Sequence, residues 1–167
     1  MQPVLDYLHQ NEARFIETLA RYVRFPSVSA QPAHAPDLVA CAKWLQIHAQ
    51  SIGLDASLRP TPGNPVLIAK TPRTPGSKKP HYIVYGHYDV QPPEPFDLWK
   101  TPPFEARIEG RKMFGRGVCD NKGQNLAHFC AIEAYLKTGT PLSCDITFLI
   151  EGEEEVGSNH LENFLRA

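Results

Sequence analysis

Three short polar segments carry side chains that could bind a metal ion and move a proton. Each segment has one residue of a type that binds zinc, and these residues are His87, Asp120 and Glu155. Zinc binds imidazole nitrogen and carboxylate oxygen, and a catalytic zinc site keeps one position open for water. The three residues therefore predict a catalytic zinc site if the fold brings their segments together.

Two further carboxylates suit supporting roles beside these ligands. Asp89 lies two residues after His87. On an extended segment it points to the same side, so it can accept a hydrogen bond from the His87 ring and fix its tautomer. Glu154 directly precedes Glu155. Of two adjacent carboxylates, one can bind metal while the other removes a proton from water, so we assign Glu155 to the metal and Glu154 to the general base.

Each of the three segments also has an interpretation without chemistry. A lone His-x-Asp is usually accidental, an acidic run such as EGEEE at 151–155 is more often a solvated turn, and the glycine-rich segment 115–123 is more often only a turn. Their shared location favours the functional interpretation. All three lie at predicted strand ends or at a loop-to-helix junction, where open α/β sheets gather their ligands.

The remaining histidines fit this pattern less well. His81 falls at the start of its strand, while His9 and His48 fall on helix faces, so we expect all three to be structural or solvated. His128 and His160 are minor candidates for substrate contact because one lies within a helix and the other follows the acidic segment.

The cysteines predict a reducing environment and no thiol chemistry. Four of them are scattered without CxxC spacing in a chain large enough to fold without disulfides, which favours a cytoplasmic location. Cys119 could be a nucleophile beside Asp120. No separate histidine–carboxylate pair would activate it if His87 and Asp89 serve zinc, so we expect Cys119 to be a packing residue.

The elements that must position these segments follow from hydrophobic periodicity. Apolar residues at helical spacing predict three helices, and a fourth is expected to begin near Ser158; their ranges are 4–24, 37–52, 123–138 and 158–165. Short apolar runs predict strands at 56–59, 66–70, 82–85 and 145–150, and a hairpin at 104–114. The runs 82–85 and 145–150 are expected to be buried. This order predicts an α/β sandwich with a mostly parallel sheet.

Bulk composition narrows the class of partner. The 167 residues, 42% of them hydrophobic, suffice to bury the core of one domain. With 17 basic and 18 acidic residues, no overall field draws the chain to nucleic acid or to an anionic membrane. The start of the sequence has no basic region followed by an apolar run, and it has no apolar stretch long enough to cross a bilayer. We therefore expect no signal peptide and no membrane anchor. A small molecule is the expected partner.

The three segments resemble the motifs of the M20 metallopeptidases. That family includes cytosolic dipeptidases of the carnosine type, acetylornithine and succinyl-diaminopimelate deacylases, and glutamate carboxypeptidases. YGHYDVQP at 85–92, GRGVCDNKG at 115–123 and EGEEEVGS at 151–158 are similar to the first, second and third motifs, in the same order. The resemblance implies the zinc-exopeptidase (phosphorylase/hydrolase-like) fold, an α/β/α sandwich. It also implies hydrolysis of a peptide or amide bond at two Zn²⁺ ions, which Mn²⁺ or Co²⁺ could replace.

The resemblance also implies a role for each residue of the site. His87 would be a terminal ligand of one metal, Asp120 the carboxylate that bridges both, and Glu155 a ligand of the other. Glu154 becomes the catalytic base and Asp89 the orienting carboxylate, in agreement with the assignment from chemistry. The peptide bond between Asp120 and Asn121 is expected to be cis.

The V-Q-P after the His-x-Asp and the segment ending in DLWKTPPFEARIEGRKMFGRG look more like the dipeptidase branch. A dipeptide is therefore the expected substrate, with an N-acyl amino-acid deacylase as the alternative. Members of the family also have a later carboxylate ligand, a late histidine ligand and an inserted lid and dimerisation domain, and we expect residues 1–167 to contain none of these.

We therefore expect residues 1–167 to form the N-terminal portion of the catalytic domain, as a truncated fold. Weak metal binding, little or no turnover by this incomplete chain alone and an exposed sheet edge should follow, while the full-length form is expected to be a homodimer. The competing hypothesis is a non-catalytic fragment with a structural or binding role.

Overall fold

A computed structural model of the chain describes residues 1–73 and 76–167. The α-helices are α1 (Gln2–Gln10), α2 (Glu12–Val23), α3 (Ala35–Ser51), α4 (Lys122–Thr138) and α5 (Leu161–Arg166). The strands are β1 (Asp55–Arg59), β2 (Val66–Lys70), β3 (His81–His87), β4 (Arg107–Glu109), β5 (Lys112–Phe114) and β6 (Asp145–Glu151). Short 3-10 helices cover Pro32–His34, Phe96–Leu98 and Glu154–Val156.

The central sheet has the strand order β1-β2-β6-β3, and β4 pairs with β5 in a separate hairpin. β3 and β6 run parallel, with His87 opposite Glu151, whereas β2 is antiparallel to both β1 and β6. The predicted α/β class is confirmed. Among the described residues the sheet is mixed, however, and the mostly parallel pairing that we expected holds only for β3 and β6.

The hydrophobic core lies between one face of this sheet and helices α3 and α4. Strand side chains such as Leu67 and Phe148 are buried against helix side chains such as Leu45 and Phe129. The rings of Phe129 and Phe148 stack with their centroids 4.4 Å apart. Because α4 is anchored in this core, its first turn is held at a fixed place above the sheet.

The second and third predicted helices agree with the observed ranges to within two residues, whereas the first and the fourth differ. The helix predicted over 4–24 is two helices, because the chain leaves helical geometry at Asn11 (φ −106°, ψ 8°). The Asn11 side chain donates to the carbonyl of Tyr7 across 2.9 Å, a local bond that competes with continued helix. The last helix begins at Leu161, three residues later than expected. Within residues 1–73 and 76–167, no helix combines the length and apolar character needed to cross a bilayer.

The two strands predicted to be buried differ in their exposure. β6 is buried along most of its length, as expected, because it lies between β2 and β3. For β3 the prediction is wrong: Tyr82, Ile83 and Tyr85 are 58%, 64% and 49% exposed. β3 has a neighbour on only one side, so its apolar run lies at the edge of the sheet in the described part of the chain.

Candidate metal centre

The topology brings three loops to one end of the sheet. β3 ends at His87 and the parallel β6 ends at Glu151, and these two residues are paired, so the loops that follow leave the sheet side by side. The third loop carries Asp120 and leads directly into α4 at Lys122. Parallel neighbouring strands thus produce the gathering at carboxyl ends that the sequence predicts.

The three predicted ligands converge at this point. One ligand atom from each of His87, Asp120 and Glu155 lies within 4.8 Å of the others. His87 Nε2 is 3.1 Å from Asp120 Oδ1 and 3.7 Å from Glu154 Oε2. Among the described residues, this is the one group of three histidine, cysteine or acidic side chains close enough to share an ion.

The His87 ring is buried and oriented by Asp89. Nδ1 lies 3.1 Å from the backbone oxygen of Asp89 and 3.4 Å from its Oδ1. A carbonyl oxygen only accepts, so Nδ1 carries the proton of that hydrogen bond and Nε2 is the atom that faces Asp120. Burial lowers the pKa of His87, but the hydrogen bonds and negative charge of Asp89 outweigh it and bring the pKa to about 9.

The backbone of His87 is fixed by two side chains that adjoin the Asp120 loop. The His87 amide donates to Asn121 Oδ1 across 3.3 Å, and Asn125 Nδ2 donates to the His87 carbonyl across 2.7 Å. The peptide bond between Asp120 and Asn121 is cis, as the resemblance implied. These contacts tie the first and second motifs together at the start of α4.

The Glu155 side chain is held by Gln91, whose Nε2 donates to Oε2 across 2.6 Å. Partial burial raises the pKa of Glu155, the Gln91 hydrogen bond lowers it, and the nearby charge of Asp120 raises it; the net direction is upward. Within the described ranges, no lysine or arginine forms an ion pair with Asp120, Glu154 or Glu155. One imidazole and uncompensated carboxylates are a donor set that fits Zn²⁺.

Asp89 also fixes the acidic loop. Its carboxylate is fully buried and accepts hydrogen bonds from the backbone amides of Glu154 and Glu155, at 3.3 and 3.1 Å. Sequence reasoning assigned Asp89 to the His87 ring alone. The same carboxylate therefore contacts both the histidine and the segment that carries the predicted base and the third ligand.

Sequence reasoning missed several contacts of the site. Gln91 lies within the first motif, at 85–92, so its position near His87 could have predicted a contact with the site. Ser29, which donates to Asp89 Oδ2 across 2.6 Å, is sixty positions away in the chain and has no local pattern that marks it. Asn121 and Asn125 are separated by one helical turn, but only the fold places both beside His87.

The secondary candidates lie mostly outside the cluster. His160 Nδ1 pairs with Glu153 Oε2 at 2.8 Å, and His81 is exposed and bonds Thr147. Cys119 was expected to be a packing residue, which is wrong because its side chain is exposed. It lies on the turn before α4, where it lines a cavity of about 280 Å³ together with Asp120 and Glu155.

His48 is a core residue, as expected. Its ring stacks on Trp44 with centroids 5.4 Å apart and meets the Phe129 ring edge-on at 6.0 Å. His9 and His128 are exposed on α1 and α4. These positions leave His87 as the histidine of the candidate centre.

The ends of the parallel strands thus gather one imidazole, the carboxylates of Asp120 and Glu155, and the nearby carboxylate of Glu154. An α/β fold with such a site is typical of the metallohydrolases. Residues 83–166 match peptidase family M20/M25/M40, and the chain belongs to that family.

Relatives extend the similarity to nearly the whole chain. The Cys-Gly metallodipeptidase of Candida albicans is 31% identical over 99% of this chain and 37% of its own length. The Beta-Ala-His dipeptidase of Mus musculus is 35% identical over 99% of this chain and 36% of its own. The crystal structure of human carnosine dipeptidase 1 superimposes with a TM-score of 0.89 at 31% identity, covering 98% of this chain and 37% of that one. The chain thus spans little more than a third of these relatives.

Proposed function

We propose that this chain supplies the first part of a dinuclear zinc site for the hydrolysis of dipeptides. His87 would bind one ion, Glu155 the other, and Asp120 would be shared between them. The observation that carries the proposal is the convergence of one atom from each residue within 4.8 Å. Bound zinc would supply polarisation of the scissile carbonyl and acidification of water.

The exposure of each acidic residue fits its proposed role. The Asp120 side chain is 72% exposed and its Oδ1 lies 3.1 Å from His87 Nε2, so this carboxylate would be accessible to cations from the solvent. Glu154 is 42% exposed and its Oε2 lies 3.7 Å from His87 Nε2, close to the ligands without being tied to them. It would accept the proton of the attacking water and deliver it to the leaving amine. Asp89 would keep the proton on Nδ1, so that Nε2 stays free as a ligand.

The proposed substrate is a dipeptide, with an N-acyl amino acid as the alternative that the assay must exclude. Relatives that align with nearly the whole chain include proteins named Cys-Gly metallodipeptidase and Beta-Ala-His dipeptidase. A cavity of about 280 Å³ beside Asp120 and Glu155 is lined by Trp99 and Met113, which would contact such a small molecule.

We further propose that residues 1–167 are the N-terminal portion of a larger catalytic domain in a homodimeric, cytoplasmic enzyme. The four cysteines are free, which supports a reducing compartment. Three protein ligands for two ions leave each ion with a terminal ligand and the shared carboxylate, fewer than a catalytic zinc usually has. Weak zinc binding and slow turnover by this chain alone are the expected result.

An assay of dipeptide hydrolysis with added Zn²⁺ or Mn²⁺ tests the proposal, using Glu154→Gln as the matched control. We expect slow cleavage that Glu154→Gln abolishes while zinc binding is retained, because the variant keeps every ligand. Cleavage at the same rate in Glu154→Gln would refute the assignment of the base. Faster cleavage of N-acetyl or N-succinyl amino acids than of dipeptides would favour a deacylase. Fast turnover by the chain would show that His87, Asp120 and Glu155 suffice without further protein ligands.

A further inference from the structure

The segment that follows α2 lies against the loop that carries the metal site. Val28 forms a parallel bridge with Val90, and the Val90 amide donates to the Ser27 carbonyl across 2.9 Å. The Ser27 hydroxyl donates to the Tyr88 carbonyl across 2.7 Å. Residues 27–29 are thus bonded along the length of the loop at 88–90, beside His87 rather than at a distance from it.

Ser29 completes the hydrogen bonds of the Asp89 carboxylate. Ser29 Oγ donates to Oδ2 across 2.6 Å, and the Glu155 amide reaches the same oxygen at 3.1 Å. On the other oxygen, Oδ1, the Glu154 amide and His87 Nδ1 lie at 3.3 and 3.4 Å. An ionised carboxylate offers about four acceptor positions, and Ser29 provides the shortest of these four contacts.

From this arrangement we infer that Ser29 is a positioning residue of the metal centre. The inference rests on the proposed function, because it takes His87 and Glu155 as ligands. Asp89 has no exposure to water, so its carboxylate oxygens depend on protein donors such as Ser29. The carboxylate would turn toward its remaining donors, and the His87 ring and the Glu154–Glu155 backbone would move with it.

Three variants separate positioning from stability. Ser29→Ala removes the hydroxyl that reaches Asp89, whereas Ser29→Thr retains a hydroxyl at the same atom. Ser27→Ala is the matched control, because it removes a fully buried serine hydroxyl from the same segment, where the partner is the Tyr88 backbone carbonyl instead of a carboxylate. Zn²⁺ affinity, from NMR titration, and the unfolding midpoint without metal are measured for each variant and for the parent chain.

Ser29→Ala is expected to weaken Zn²⁺ binding about 10-fold, within the range for residues that orient metal ligands. Ser29→Thr and Ser27→Ala are expected to bind within about 2-fold of the parent. Hydrogen exchange without metal gives a second readout: the Glu154 and Glu155 amides should lose protection in Ser29→Ala and keep it in Ser27→Ala, because only the first change frees the carboxylate that they contact.

Equal zinc affinity in Ser29→Ala and the parent would overturn the inference while leaving the proposed metal site in place. The same holds if Ser27→Ala weakens binding as much as Ser29→Ala, since the effect would then be one of general stability. Absence of zinc binding by the parent chain would overturn the proposed function and, with it, the role of Ser29.

Discussion

Gln91 and Glu155 are joined across 2.6 Å, with Nε2 donating to Oε2. Gln91 follows β3 and Glu155 follows β6, so this bond links the two loops beyond the parallel pair of strands. One carboxylate oxygen of Glu155 lies within 4.8 Å of ligand atoms from His87 and Asp120. The orientation of Glu155, the third proposed ligand, therefore depends on a side chain from the first motif.

Gln91→Ala is predicted to weaken Zn²⁺ affinity roughly 10-fold, because Glu155 is no longer held toward the other ligands. Gln91 is exposed, so the free energy of unfolding without metal should change by less than about 0.5 kcal/mol. Calorimetric zinc titration and urea unfolding of the two proteins measure both quantities. Unchanged affinity would show that Glu155 does not need this bond to reach the metal.

Gly86→Ala is predicted to disturb the backbone of His87. A methyl group at this position would overlap the Asn125 side chain and lie 2.7 Å from Asn121 Oδ1, and these two residues bond the His87 amide and carbonyl. Overpacking of this kind costs about 1–3 kcal/mol, so thermal unfolding should occur at a lower temperature. Adding Asn125→Ala should recover part of the loss, since it removes the larger overlap. An unfolding temperature equal to that of the parent would contradict this prediction.

Local sequence patterns predicted the elements that local interactions define. Helix α4 follows its apolar spacing and ends at Gly139, whose φ of +65° favours glycine. The run at 82–85 predicted a strand but not its place in the sheet, because sheet order depends on pairing with β6, more than sixty residues later. The break at Asn11 was missed because apolar spacing continues across it, and the change of backbone angles at this residue leaves that spacing intact.

The candidate site was predictable to the extent that its residues lie within short motifs. His87, Asp89, Asp120, Glu154 and Glu155 could each be assigned from residue type and spacing. The contact of Ser29 with Asp89 could not, because a serine has no distinctive pattern and the two residues meet only when the segment after α2 pairs with the loop after β3.

Helices α1 and α2 are predicted to depend on one buried carboxylate. Glu133 on α4 is 4% exposed and accepts hydrogen bonds from Arg14 at 2.7 Å and from the Tyr7 hydroxyl at 2.9 Å. Arg14→Met leaves this carboxylate without its cation. Breaking a buried pair costs 3–5 kcal/mol, and the partial exposure of Arg14 reduces the expected loss to about 2 kcal/mol.

The companion variant combines Arg14→Met with Glu133→Met. It removes both the Arg14 guanidinium and the Glu133 carboxylate, so no buried charge is left without its partner. It should be more stable than Arg14→Met alone, as a double-mutant cycle by urea unfolding would measure. Additive losses in the double variant would mean that the two side chains do not interact energetically.

His48 is predicted to make folding less favourable in acid. Burial against Trp44 and Phe129 lowers its pKa below the usual 6.5, and Arg14 adds to this effect while the charge of Glu133 opposes it. As the pH falls, His48 therefore takes up a proton in the unfolded chain at a higher pH than in the folded chain. The contribution of neutral His48 to stability is complete above pH 6.5. That contribution is lost as the pH falls toward the lowered value.

Replacing this histidine by His48→Phe should flatten the decline of unfolding free energy between pH 7 and pH 5, as urea unfolding at each pH would record. The aromatic contacts are kept, so the two proteins should have similar stability near pH 7.5. Parallel stability curves for parent and variant across the acid range would rule out His48 as the source of the decline.

Crystals of the chain soaked in Zn²⁺ and measured at the zinc absorption edge would show whether His87, Asp120 and Glu155 bind zinc together. We predict anomalous density in contact with His87 Nε2, Asp120 and Glu155, and its loss in crystals of Asp120→Ala, which removes the shared ligand. Zinc bound elsewhere, such as between Glu153 and His160, with none beside His87, would contradict the account of this site.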